Sequence, residues 1–276
     1  MSKYDCVYSV GCSFSVGANI MDENNKFAGK KFQYAQLVAD ELGVPCFNQG
    51  KPGAGNHYII RTLYNFISSN IIYKNPLILI ATSGLSRKEI LSVENSIFSD
   101  HHIFDFDTNN KDCPNYKHRA LKISDTVNTD DYRNWINFEQ RYIYDHENEK
   151  LKAQREYEMA CALVTLKGYD YLIWNSLMDV VNSGIHGNNF LSYDIDTQGT
   201  GRKYTHNDTR QTVWSTEPDN CWYHYLYNKN YKEYGNFNTE NRSSMPPWGK
   251  YFSGGHPSPD ANRVQKDRIL KQLLKI

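Results

Sequence analysis

The 276-residue sequence has no net charge to work with: Lys plus Arg total 31 and Asp plus Glu total 31. A neutral chain has no overall field to gather it onto nucleic acid or an anionic membrane, so neither is an expected partner. Long apolar runs are also missing. The longest, such as Leu77 to Ala81, fall far short of the roughly 20 residues that a membrane helix needs. The opening MSKYDCVYSVG gives one lysine, then an acid, then a strand-like run. No apolar segment with a small-residue cleavage site follows, so the reading is cytoplasmic at synthesis. Cysteines stand at 6, 12, 46, 113, 161 and 221, with no C-x-x-C pair, which reads as reduced thiols rather than a disulfide or zinc framework. Internal repeats, heptads and charge blocks are absent.

Hydrophobic residues make up only 39 %, below the globular norm of about 45–50 %. Aromatics make up the difference: Tyr 21, Phe 12 and Trp 5 supply large buried areas per residue. Asp5 to Val10 reads as a strand. From Lys31 to Leu42, Phe32, Ala35, Ala39 and Leu42 share a helical stripe that Gly43 and Pro45 terminate. Val44 to Phe47 reads as a second strand. Asn56 is placed to cap a helix carrying Ile59, Ile60, Leu63, Phe66 and Ile67. Leu77 to Ala81 is continuously apolar, as a strand buried on both faces must be. Glu147 to Lys167 reads as a helix, Tyr171 to Trp174 as a strand, and Pro259 to Lys275 as a closing amphipathic helix. The order strand, helix, strand, helix, strand predicts an α/β fold: a three-layer α/β/α sandwich on a mostly parallel sheet of about five strands. Blocks at about 92–146 and 180–252 lack periodicity and read as long insertions in a single domain.

Ligands of such sheets sit at the carboxyl ends of the strands. Here those ends carry Gly11-Cys12-Ser13-Phe14-Ser15-Val16-Gly17, then Asn48-Gln49-Gly50-Lys51-Pro52-Gly53, then Thr82-Ser83-Gly84-Leu85-Ser86-Arg87. Ser253-Gly254-Gly255-His256-Pro257-Ser258 precedes the last helix. Ser13 sits in a turn directly after a buried strand, and Gly50 and Gly53 let the backbone approach a substrate closely. Cys12 is a rival nucleophile that would point elsewhere. Arg87 either binds an anionic group or pairs with an acid such as Glu89. His101, His102, Asp105 and Asp107, and the run from Asp194 to Thr205, lack the remaining ligands of a zinc or calcium site. With no Walker lysine–serine and no G-x-G-x-x-G after the first strand, no cofactor is expected. The aromatic set from Trp214 to Tyr234 (Trp222, Tyr223, Tyr225, Tyr227, Tyr231, Tyr234) reads either as a sugar-stacking surface or as loop core.

Taken together, the four strand-end segments resemble the motif blocks of the SGNH (GDSL-type) hydrolases. Gly11, Ser13 and Gly17 match G-D-S-x-x-x-G, with Cys12 in place of the aspartate. Asn48, Gly50 and Gly53 match N-x-G-x-x-G. Ser83 stands where the third block has its asparagine. His256-Pro257 match the end of D-x-x-H-P, with Ser253 at the aspartate position. The resemblance implies a flavodoxin-like sheet and a serine esterase, with an O-acetyl ester on a carbohydrate as the expected substrate. It makes Ser13 the nucleophile and His256 the general base. The oxyanion hole would be built from the Ser13 and Gly50 amides with Ser83. Ser253 and Arg87 would be supporting residues. A second reading is a catalytically weak or inactive SGNH-fold binding or structural module. The form of the first block and the high Asn and Tyr content resemble phage-encoded relatives. That reading leaves a homo-oligomer or virion partners open.

Overall fold

The computed structural model describes residues 2–17, 20, 29–69, 73–85, 87–91, 101–105, 145–177, 180–193, 221–223, 225–226, 229, 251–253 and 256–276. Its centre is a four-stranded parallel sheet in the order β2-β1-β3-β6. The strands are β1 (Cys6–Val10), β2 (Cys46–Asn48), β3 (Pro76–Ala81) and β6 (Asp170–Trp174). Every residue of β1 and β3 is buried, which explains their unbroken apolar sequence. The helices are α1 (Gly29–Phe32), α2 (Tyr34–Leu42), α3 (Asn56–Ser68), α4 (His146–Leu166), α5 (Ser183–His186) and α6 (Pro259–Leu273).

Chain order and strand order together fix the layers. The step from β1 to β2 moves one way across the sheet, while the steps from β2 to β3 and from β3 to β6 move the other way. Right-handed crossovers then put α2 on one face and α3 with α4 on the opposite face. The packing agrees, since α2 lies against α6 and α3 lies against α4. The fold is α/β, with helices on both faces of a parallel sheet.

A fifth strand is reduced to one parallel bridge, Ile173 to Phe190, beside β6. Phe190, Leu191 and Tyr193 are buried, so the block expected to be irregular from 180 onward contributes to the core where it is described. In the block from 92, β5 (His101–Asp105) pairs antiparallel with β4 (Arg87–Leu91). Short β7 (Phe252–Ser253) and β8 (His256–Pro257) form a second antiparallel pair ahead of α6.

The helix expected over Lys31 to Leu42 is broken at Gln33, which occupies the N-cap position of α2 in extended backbone. Asn56 is the first residue of α3 rather than its cap, a place taken by Gly55. Its buried carboxamide instead joins layers. The Oδ1 accepts the Ser83 N–H at 2.8 Å and the Tyr157 hydroxyl at 2.8 Å, and the Nδ2 donates to the Ser83 carbonyl at 3.2 Å. Asn56 thus ties the end of β3 to α4 through the core.

Free thiols at Cys6, Cys12, Cys46, Cys161 and Cys221 match the reduced reading, and Cys113 lies outside the described residues. Burial pushes the Cys6, Cys46 and Cys161 thiols up to about 12. Among the described residues no helix is long and apolar enough to cross a membrane.

Removing the Asn56 carboxamide strands three buried polar groups, each worth roughly 1–3 kcal/mol when unpaired. Asn56→Ala should therefore lose more stability than Tyr157→Phe, for which about 1 kcal/mol is expected. Urea midpoints of the two variants check the order, and an equal loss would count against the cross-link.

Candidate active site

The loop after β2 does not leave the sheet at once. The Gln49 N–H donates to the Ser9 carbonyl at 2.8 Å and the Lys51 N–H to the Gly11 carbonyl at 3.0 Å. The ladder therefore runs on past β2, and the loop carrying Gly50 lies directly along the turn carrying Ser13. A Cβ on Gly50 would meet Val16 Cγ1 at 2.9 Å and the Ser15 Cβ at 3.0 Å. A Cβ on Gly11 would meet Ser15 Oγ at 2.0 Å and the Ala81 Cβ at 3.0 Å. Glycine is favoured at both places because neighbouring side chains, Ser15 and Ala81 at Gly11 and Ser15 and Val16 at Gly50, fill the space of a Cβ. Gly17 and Gly53 have φ of 62° and 76°, a left-handed conformation that favours glycine.

Ser13 is 4 % exposed, and no hydrogen bond to its hydroxyl is present among the described residues. The turn closes with the Ser15 N–H donating to the Cys12 carbonyl at 2.9 Å. Cys12 itself is fully buried in the hydrophobic core, which separates it from any ligand that Ser13 could meet. Beneath the turn, the Tyr34 hydroxyl donates to Ser15 Oγ at 2.7 Å. Burial holds the Tyr34 phenol protonated, outweighing its bonds to Ser15 and Ser9.

His256 is half-buried on β8, and its ring centroid lies 5.8 Å from that of Phe14, the neighbour of Ser13. Ser253 faces His256 across the β7–β8 pair in backbone register, and its side chain lies outside the described residues. No hydrogen bond joins Ser13 to His256 among the described residues. Two acids elsewhere in the sequence, Asp260 and Asp179, are candidates for the carboxylate that Ser253 cannot supply; Asp260 pairs with Arg263, and Asp179 lies outside the described residues. Phe14 also packs against Trp222 at 5.8 Å and Tyr223 at 6.0 Å. The Trp222 and Tyr223 amides donate to the Asn175 and Ser176 carbonyls just beyond β6. Residues 221–223 therefore close over the carboxyl end of the sheet.

Gly50 and Ser83 are already engaged. The Gly50 N–H donates to Asn48 Oδ1 at 2.9 Å. Fully buried Ser83 donates its hydroxyl proton to the Ala54 carbonyl at 2.6 Å. Arg87 opens β4 opposite Asp105, and its side chain lies outside the described residues. Trp222 is fully buried between Phe14 and Tyr34, so it serves as core rather than as a sugar platform. Tyr225 and Tyr193 flank the Arg268 guanidinium at 4.6 and 4.9 Å. Trp214, Tyr227, Tyr231 and Tyr234 lie outside the described residues. No group of three His, Cys, Asp or Glu able to hold a metal occurs among the described residues. The side chains of His101, His102 and Asp105, and residues 107 and 194–205, lie outside them.

Sequence reasoning missed Gln33, Tyr34 and Asn262, which bind the site's loops from behind. The Tyr34 N–H donates to Asn262 Oδ1 at 3.2 Å, and Asn262 Nδ2 donates to the Ser258 carbonyl at 2.9 Å. The one local signal was a glutamine at a helix start, where a shorter side chain would normally cap.

No family model matches the chain, and no curated protein does. Solved structures do resemble it, two of them as follows. One is a member of the lipolytic G-D-S-L family from Veillonella parvula DSM 2008, with a TM-score of 0.39, 11 % identity, and 98 % of this chain and 99 % of that one covered. The other is an acetyl xylan esterase from the rumen bacterium Butyrivibrio proteoclasticus, with a TM-score of 0.41 and 11 % identity. The match spans 99 % of this chain and 64 % of the esterase's length.

Because the Gly50 position has no space for a methyl group, Gly50→Ala should separate its loop from the Ser13 turn. Overpacking of this kind costs roughly 1–3 kcal/mol. A urea midpoint equal to that of the unaltered protein would contradict the close approach.

Proposed function

We propose that the protein is a serine hydrolase of the SGNH type acting on carboxylic esters. The observation carrying the reading is convergence. The Ser13 turn and the Gly50 loop meet at the carboxyl end of one parallel sheet, with His256 against the residue next to Ser13. Ser13 Oγ attacks the acyl carbonyl while the His256 imidazole takes its proton. The tetrahedral oxyanion collapses, the C–O bond to the alcohol breaks, and His256 returns the proton to that alcohol. Water then attacks the acyl-serine by the same route in reverse.

The oxyanion is held by the backbone N–H groups of Ser13 and Gly50. Gly50 meets it only by sharing its proton with, or withdrawing it from, Asn48 Oδ1. Ser83 contributes only by exchanging its bond to the Ala54 carbonyl for one to the oxyanion. The Ser13 N–H, which makes no hydrogen bond among the described residues, therefore leads the hole, and Gly50 joins it on release from Asn48 Oδ1. Ser253 and Arg87 are supporting positions in this reading. The substrate we propose is an O-acetyl ester on a carbohydrate. A short acyl group suits a nucleophile that is only 4 % exposed and whose neighbour Phe14 packs against Trp222 and Tyr223.

Two observations favour a second reading, a weak or inactive binding or structural module on the same fold. Ser83 donates its hydroxyl to the Ala54 carbonyl, and Asp260 is engaged by Arg263.

Hydrolysis of a chromogenic acetyl ester, measured beside Ser13→Ala and His256→Ala, separates the two. The esterase reading expects turnover that falls at least about 1,000-fold in each variant with folding intact. A wild-type protein inert towards short, long and sugar-linked acyl esters would establish the module instead.

A further inference from the structure

Gln33 occupies the N-cap position of α2, yet its side chain makes no capping bond. The Tyr34 N–H of that helix is met by Asn262 from α6 instead. Gln33 is buried, and its carboxamide bonds two loops of the candidate active site. Its Nε2 donates to the Val16 carbonyl at 2.8 Å, inside the turn that carries Ser13. Its Oε1 accepts from Asn48 Nδ2 at 2.8 Å. Asn48 Nδ2 also donates to the Ser15 carbonyl at 2.6 Å, and Asn48 Oδ1 accepts the Gly50 N–H at 2.9 Å. Two side-chain amides thus form one uncharged chain from Val16 and Ser15 to Gly50.

We infer that Gln33 is a positioning residue. Through Asn48, it sets the separation and orientation of the Ser13 turn relative to the Gly50 amide. The inference rests on the esterase reading above and deepens it. Three features set this apart from general support of the fold. The side chain forgoes its own helix end, spends both of its polar atoms, and, among the described residues, bonds the two loops on which nucleophile and oxyanion donor stand. A carboxamide suits the task because it donates to one loop and accepts from the other. Glutamate could only accept once ionised, and a buried carboxylate facing the Val16 carbonyl would be disfavoured.

The test uses the full chain with Gln33→Met, which keeps the length and packing, and Gln33→Glu, which keeps only the acceptor for Asn48. Turnover is counted per active site titrated with a fluorophosphonate, so that misfolded protein lowers the titre and not kcat. A displacement of about 1 Å costs on the order of 100-fold in rate. The expected result for Gln33→Met is therefore a kcat lower by about 100-fold with KM within about twofold. Gln33→Glu should fall between Met and wild type. Amide hydrogen exchange should quicken in 12–17 and 48–51 and stay unchanged in β3. An active wild type whose Gln33→Met variant keeps its kcat, or loses only titre, would overturn the role of Gln33. A wild type with no ester hydrolysis would instead overturn the esterase reading, and this role with it.

Discussion

Everything at the carboxyl end of this sheet depends on one backbone approach. The ladder between β1 and β2 continues past the strands, through Gln49 to Ser9 and Lys51 to Gly11. That continuation presses the Gly50 loop onto the Ser15 and Val16 side chains of the turn after β1, until Gly50 has no space for a methyl group. Two segments some 35 residues apart become one rigid unit, joined by main-chain bonds and by the carboxamide of Asn48. Serine chemistry needs such a unit, because a nucleophile and an amide donor work only when held within a fraction of an ångström of each other.

The supports around that unit are almost all uncharged. Tyr34, Gln33, Asn48, Asn56 and Asn262 are buried or partly buried, and each bridges two segments through hydroxyl or amide groups. Burying neutral polar groups is tolerable when every donor and acceptor is met, and a satisfied network then specifies one arrangement. The abundance of Asn and Tyr in the composition takes on a structural meaning here. The α2 N-terminus is the junction, since Gln33 serves the Ser13 and Gly50 loops while Tyr34 and Asn262 serve the segment after His256.

Much of this arrangement was legible in the sequence, for reasons that differ by element. β1 and β3 were visible because strands buried on both faces must be continuously apolar, and Gly43 marked the end of α2 with φ of 67°. The spacing Gly11, Ser13, Gly17 and the triple Asn48, Gly50, Gly53 were visible because close approach and left-handed turns leave few alternatives to glycine. Asn56 was misread, since a cap position and a core cross-link call for the same side chain and periodicity cannot separate them. Gln33 gave no signal beyond its place at a helix start, because its partners Val16 and Asn48 lie 17 and 15 residues away. The commitment of Ser83 to Ala54 was equally silent, as it arises only when β3 and the loop before α3 come together.

In the esterase reading proposed above Ser13 is the nucleophile, and a covalent probe reads that directly. A fluorophosphonate reacts by forming an Oγ–P bond with loss of fluoride, the serine proton passing to the imidazole. Mass spectrometry of the labelled, digested protein should find one adduct, on the peptide containing Ser13, and none in His256→Ala. An intact protein that takes no label, or takes it at another serine, would contradict the account.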